Sequence, residues 1–168
     1  MKKLFLTTVL LLLAIFTVSA KSYKWNGLDH EYDVISLKQS GQSTQVLKVF
    51  AIAGNPDKAI DQALQDAVAA AIFTGFKKKL DPVPQPGLYK KAANSGQEFY
   101  DANKAYFDNF FKKGDFMSFV RNVNKNYPSG ENNMAVDGGR RVGVNIEIDL
   151  DALRQKLEAD GVLKELLK

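Results

Sequence analysis

The chain contains no cysteine and only one histidine, His30, among its 168 residues. Without thiols there can be no disulfide, cysteine nucleophile, thioether-linked haem or iron–sulfur cluster, and one imidazole cannot build the usual zinc sites. Lipid attachment to an N-terminal cysteine is excluded on the same ground. Phosphate-loop, dinucleotide-binding, nucleophile-elbow and calcium-loop patterns are missing as well. The pair Gly138-Gly139 lacks the further glycine and the following helix that a phosphate cradle needs. No cofactor and no metal is expected. Proline is scarce, at 5, and glycine is ordinary, at 12, which rules out a collagen-like or low-complexity chain. With 45% apolar and 25% charged residues, the composition is that of an ordinary globular protein.

The first residues read as an export signal. Met1-Lys2-Lys3 is a short basic start, positions 4–18 are apolar except for Thr7, Thr8 and Thr17, and Val18-Ser19-Ala20 offers a cleavage site before Lys21. The apolar run of 15 residues is shorter than the roughly 20 of a membrane-spanning helix. Cleavage after Ala20 removes Lys2 and Lys3, so 23 basic residues become 21 against 19 acidic ones, and the net charge of +4 falls to +2. The basic balance then gives little reason to expect nucleic acid as a partner. The expectation is a signal peptide at 1–20 and one soluble α+β domain at 21–168, located in the periplasm or outside the cell, touching a membrane at most peripherally.

Along that domain the residues suggest an arm at 21–29, strands at 32–37 and 45–53 joined by a turn at 39–43, and then a helix. Asn55-Pro56-Asp57 combines an N-cap, a proline at the first helical position and an acid in the first turn. Ile60, Ala63, Leu64, Ala67, Val68, Ala71 and Ile72 follow helical spacing, and Gly75 closes the segment. A surface connection at 77–96, one helix at 97–113, a strand at 117–123 and a polar stretch at 124–139 come next. The alternation of Val142, Val144, Ile146 and Ile148 with polar neighbours defines a last strand. Asp149 then caps a helix whose Leu150, Leu153 and Leu157 face inward, Gly161 ends it, and Leu163, Leu166 and Leu167 pack as a tail. The order β-β-α-α-β-β-α points to an antiparallel sheet of about four strands with helices on one face.

Three groups of residues are candidates for chemistry or binding. His30 lies in Asp29-His30-Glu31-Tyr32-Asp33 and is the one residue able to serve as a catalytic imidazole, although this run also reads as the solvated start of a strand. Asp29, Glu31 and Asp33, and likewise Glu147 with Asp149, would share a strand face at a spacing that suits paired carboxylates, but on a wet face. Eight of the 18 aromatic rings fall between Phe99 and Phe119; their helical spacing and a small sheet's need for bulky cover favour core filling, with the surplus rings Tyr100, Phe107 and Phe111 as candidates for an apolar or glycan contact. Basic pairs and runs stand at 77–79, 90–91, 112–113 and 140–141, of which Arg140 and Arg141 are candidate contacts for a partner.

The run from Val49 to Gly75, with its alanine-rich KAIDQALQDAVAAAIFTG, the run YFDNFFKKGDFMSFV and the closing RRVGVNIEIDLDALRQKLEADGV resemble small exported α+β proteins of the Bacteroidetes. More distantly they are similar to small domains of envelope lipoproteins and to the N-terminal domain of a flagellar assembly protein. The resemblance implies an accessory module of the cell envelope and carries no catalytic residues. The expected function is non-enzymatic binding of an envelope component, with 77–96 and 124–139 as contact regions. The alternative is a module for a lipid or glycan ligand at helix 97–113, and a hydrolase built on His30 or an acidic pair ranks third.

Overall fold

The computed structural model describes residues 22–79 and 83–163. The expected export segment and the tail positions Leu166 and Leu167 lie outside the described residues. The rest is a mixed α+β fold with four α-helices and a six-stranded, mostly antiparallel open sheet.

The sheet is built around β2 (Thr44–Ala53) and β6 (Gly139–Asp149), which pair antiparallel over their whole length from Thr44↔Asp149 to Ala53↔Arg140. β1 (Asp33–Gln39) flanks β2 antiparallel, and β3 (Lys77–Lys78) adds to β1 in parallel. On the far side β4 (Val120–Asn122) and β5 (Asn133–Val136) both pair with β6. β2 is therefore an interior strand, as its two apolar faces require. Leu47, Val49 and Ala51 of β2 and Val142, Val144, Ile146 and Ile148 of β6 form a continuous buried face.

Helix α1 (Pro56–Ala69) packs on β2 and β6 through this face. Its start is set as the sequence suggests. The Asn55 side chain accepts from the Lys58 N–H at 2.9 Å, with Pro56 at the first position. The end widens into a π-helical turn over Ala70–Thr74 that Gly75 closes, its N–H donating to the Ala70 carbonyl at 2.6 Å. Every residue from Ala63 to Phe73 is buried, so α1 carries no wet face over this stretch.

Four expectations need correction. The sheet has six strands instead of four, because short strands hide in both presumed loops. β3 lies in 77–96, and β5 forms a hairpin with β6 across Asp137-Gly138, where Gly138 takes a φ of 84° that suits glycine. The helix expected over 97–113 is two, α2 (Gly96–Ala102) and α3 (Lys104–Lys112). Asn103 breaks it, since its Nδ2 donates to the Phe99 carbonyl at 3.0 Å and its backbone leaves the helical region at φ −123°. The strand expected at 117–123 begins as a 3₁₀ turn over Asp115–Phe119, and only Val120–Asn122 is extended. Finally, Tyr100, Phe107 and Phe111 are core residues, at 4%, 0% and 0% exposure, and offer no surface to a ligand. They interlock with Phe73, which meets Phe107 edge-to-face at 4.7 Å.

The last helix, α4 (Leu150–Ala159), starts where Asp149 accepts from the Ala152 N–H at 3.0 Å, and it buries Leu153 and Leu157. Tyr106 of α3 donates to Asp160 just beyond its end at 2.7 Å, tying the two helices together.

Candidate functional site

The segment 22–32 runs across one end of the sheet as an arm held at three points. The Tyr23 N–H donates to the Lys112 carbonyl at 3.1 Å. Trp25 stacks on Phe111 with ring centroids 3.9 Å apart, and its Nε1 donates to Asp108 at 3.1 Å. Asp108 also accepts from Tyr100 at 2.6 Å and Lys104 at 2.6 Å, and these bonds, Lys104 first, hold its carboxyl below the usual range. His30 is the third anchor.

Between arm and α1 lies a groove made of two adjoining clefts of about 460 and 520 Å³ that share Lys24, Ile52, Gln62 and Gln65. Volumes of this order suit a small-molecule site. The first cleft contains His30, whose Nδ1 faces Asp29 at 2.6 Å and whose Nε2 faces Asp66 at 3.1 Å. Asp66 comes from the last turn of α1 and is only 2% exposed, against 40% for the imidazole. With a carboxylate at each nitrogen, both ring nitrogens donate. The bond to Asp66 outweighs the cost of burial, Asp29 adds to it, and the His30 pKa rises from 6.5 to about 9. Asp29 moves the other way: burial opposes ionisation, but the bonds from His30 and Asn26 pull its carboxyl below the ordinary range. Tyr32 packs edge-on against His30 at 5.0 Å. Burial and then the Asp66 and Asp29 charges raise its hydroxyl, which has no hydrogen-bond partner among the described residues.

A cationic imidazole at neutral pH with both nitrogens engaged is a clamp. A general base must be neutral at working pH and must have a free nitrogen within reach of the proton it takes. His30 therefore fastens the arm to α1. Because its pKa is raised on folding, the stabilisation is complete below pH 6.5 and is lost as pH rises through about 9. His30→Gln is expected to flatten the stability profile over that window and to cost about 1 kcal/mol at pH 6, the scale of a half-exposed ion pair. Urea midpoints of both proteins at intervals from pH 6 to 10 check this. Parallel curves would remove the clamp.

Asp66 also accepts from Gln62 Nε2 at 2.8 Å, and the same nitrogen donates to Gln65 Oε1 at 3.1 Å. A carboxylate can only accept, so it fixes which end of Gln62 faces it, and Gln62 in turn fixes Gln65. The Gln65 amide nitrogen is buried and has no partner among the described residues, in a residue that is 2% exposed and lines both clefts. Sequence reasoning missed this trio. The signal was present, because Gln62, Gln65 and Asp66 place polar side chains at i, i+3 and i+4 in an alanine-rich helix whose other polar residues, Asp57, Lys58 and Asp61, all precede them.

The remaining candidates make structural bonds, and some of them also line the first cleft. Arg140 is held within the β5–β6 hairpin, with Nη2 donating to the Asn133 carbonyl at 2.8 Å and to its side-chain oxygen at 2.7 Å. Arg141 lines the first cleft, donates to Asp33 at 2.8 Å and covers the Phe50 ring at 3.8 Å. Glu147 accepts from Arg121 at 2.8 Å and from Ser40 at 3.1 Å, and Asp149 caps α4. Of the acids, Asp29, Glu31 and Asp33 reach the cleft with His30, while Glu147 and Asp149 do not line it. Among the described residues no group of three or more His, Asp or Glu is placed to hold a metal ion, and no helix is long and apolar enough to cross a membrane. Compared with known proteins, the chain matches no family model, no curated protein and no solved structure.

Proposed function

We propose that this chain is an exported, non-enzymatic accessory domain that holds a component of the cell envelope in the groove between its arm and α1. The observation that carries the reading is the Gln65 amide, a buried donor with nothing to donate to, in a residue lining the groove. Leaving such a group unpaired costs about 1–3 kcal/mol, and a fold that retains it without a ligand gains nothing in return. The clamped state of His30 supports a binding role over hydrolysis. The contact surface thereby moves from the loops at 77–96 and 124–139 to the groove, and the ligand-binding alternative shifts from the aromatic helices to the same place.

The test separates binding from folding. Gln65→Leu removes the orphan donor and leaves the Gln62–Asp66 bond intact, so the free protein is expected to gain about 1 kcal/mol, or about 2–4 °C in Tm. Envelope extract should raise the Tm of the parent protein and leave that of the variant unchanged. An equal rise in both, or a variant less stable than the parent, would count against the groove.

A further inference from the structure

Strand β2 outruns its neighbour β1. Their last pair is Asp33↔Phe50, whereas β2 continues along β6 to Ala53. The ladder itself tells which backbone groups are left over. The Leu150 N–H donates to the Ser43 carbonyl at 3.1 Å on the β6 side, and the Ser40 N–H donates to the Thr44 carbonyl at 2.9 Å on the β1 side. In an antiparallel strand the N–H and C=O of one residue point the same way, and the direction alternates from residue to residue. The β2–β6 register runs without a shift, so odd-numbered residues of β2 bond to β6 and even-numbered ones face β1. Ile52 therefore turns its N–H and C=O to the side where β1 has ended, and among the described residues nothing bonds to either. Its side chain is 53% exposed.

This open edge lies in the groove, since Ile52 lines both clefts, with the arm and α1 as the walls. An unpaired N–H and C=O on a strand edge is a template for one more strand. The walls restrict what can supply it. The edge of another folded sheet brings its own neighbours and helices, which would meet the arm and α1, whereas a single extended segment about 4.8 Å from β2 lies between them. Charge narrows the choice further. Four carboxylates line the first cleft against three cations, Lys24, His30 and Arg141, so the cleft favours a segment of positive charge.

We propose that the groove takes one extended peptide segment of another protein, richer in Lys and Arg than in Asp and Glu, as an added strand on β2 opposite Ile52. The inference rests on reading the groove as the binding site and names the partner's chemistry. A sugar or a lipid tail has no row of N–H and C=O groups at the spacing of a strand.

The full chain, labelled with ¹⁵N, is titrated with acetylated octapeptides of alternating Val and Thr that carry two Lys, two Gln or two Glu, and with maltotetraose as a probe that has no peptide groups. The Lys peptide is expected to shift the Ile52 amide signal and to slow its hydrogen exchange about tenfold. It should bind about threefold more tightly than the Glu peptide at about 50 mM salt, with the gap closing toward about 500 mM. N-methylation of the peptide, one residue at a time, should weaken binding about tenfold at every second position and little in between, the period of a paired strand. Ile52→Pro removes the edge N–H without taking a bond from the β6 ladder, so the variant should keep its fold and bind the Lys peptide about tenfold more weakly. The N-methyl scan uses the unaltered protein and decides the question whatever proline does to the fold. Binding that N-methylation weakens equally at all positions, or that leaves Ile52 exchange unchanged, overturns the added strand. Ile52 protection that appears without peptide and grows with protein concentration overturns it too, by making a second copy the occupant. If maltotetraose moves the signals of Ile52 and 24–31 and the peptides do not, the partner class is wrong and the groove stands. If no probe moves them, the added strand falls. Envelope extract that still raises the Tm then leaves the groove standing, and extract that does not takes both readings down.

Discussion

Phe107→Ala is expected to destabilise the protein by about 4 kcal/mol, with the loss read from urea midpoints at constant m-value. The ring is fully buried and sits at the centre of an aromatic cluster. Phe73 meets it at 4.7 Å, Tyr106 at 5.2 Å and Phe99 at 5.5 Å, all edge-to-face. Truncation removes the transfer free energy of a large ring and leaves a void. The void cannot collapse readily, because the neighbours belong to α2, α3 and the π turn, three segments pinned by separate bonds. A cost below about 1 kcal/mol would mean that this ring is not holding the helices together. Ligand affinity should survive in the folded fraction, since Phe107 does not line the groove.

Gly75→Ala should cost nearly as much, about 3–4 kcal/mol, for a different reason. Gly75 has φ +76°, and a Cβ there would lie 2.0 Å from the Gln85 carbonyl oxygen and 2.8 Å from the Gly87 nitrogen. With ψ at −172°, this is an extended backbone region that essentially only glycine occupies, which alone costs an alanine about 1–3 kcal/mol, and the clash with main chain on the opposing loop adds an overpacking cost of about 1–3 kcal/mol. Gly138→Ala is the internal control. Its φ is +84°, but nothing lies within 4 Å of the added carbon, so only the conformational part, about 1 kcal/mol, is expected. Equal losses at the two positions would show that close approach of the backbone is not the cause.

The contrast between the two glycines shows what could be read from the chain and what could not. Gly75 was legible as a helix stop from spacing alone, but its contact with Gln85 depends on how a distant loop folds back. The same division runs through the fold. The start of α1, the alternation in β6 and the Asp149 cap are local patterns that need only neighbouring residues. The break at Asn103 was hidden because the aromatic stripe on either side keeps helical spacing through it. β5 was overlooked although Asp137-Gly138 is a turn signal, because its four residues are too few to show alternation. At the site, the sequence brought His30 and Asp29 together as neighbours. Asp66, 36 residues away, could be matched to His30 only once the arm was laid across α1.

Trp25 is the chain's only tryptophan, and its indole is stacked on Phe111 and bonded to Asp108 while sitting on the arm. Intrinsic fluorescence of this protein is therefore a local gauge of whether the arm is seated, with emission moving to the red when the indole meets water. Set beside far-ultraviolet circular dichroism, which follows the helices and sheet, that gauge separates release of the arm from loss of the fold and gives an optical handle on the groove's outer wall.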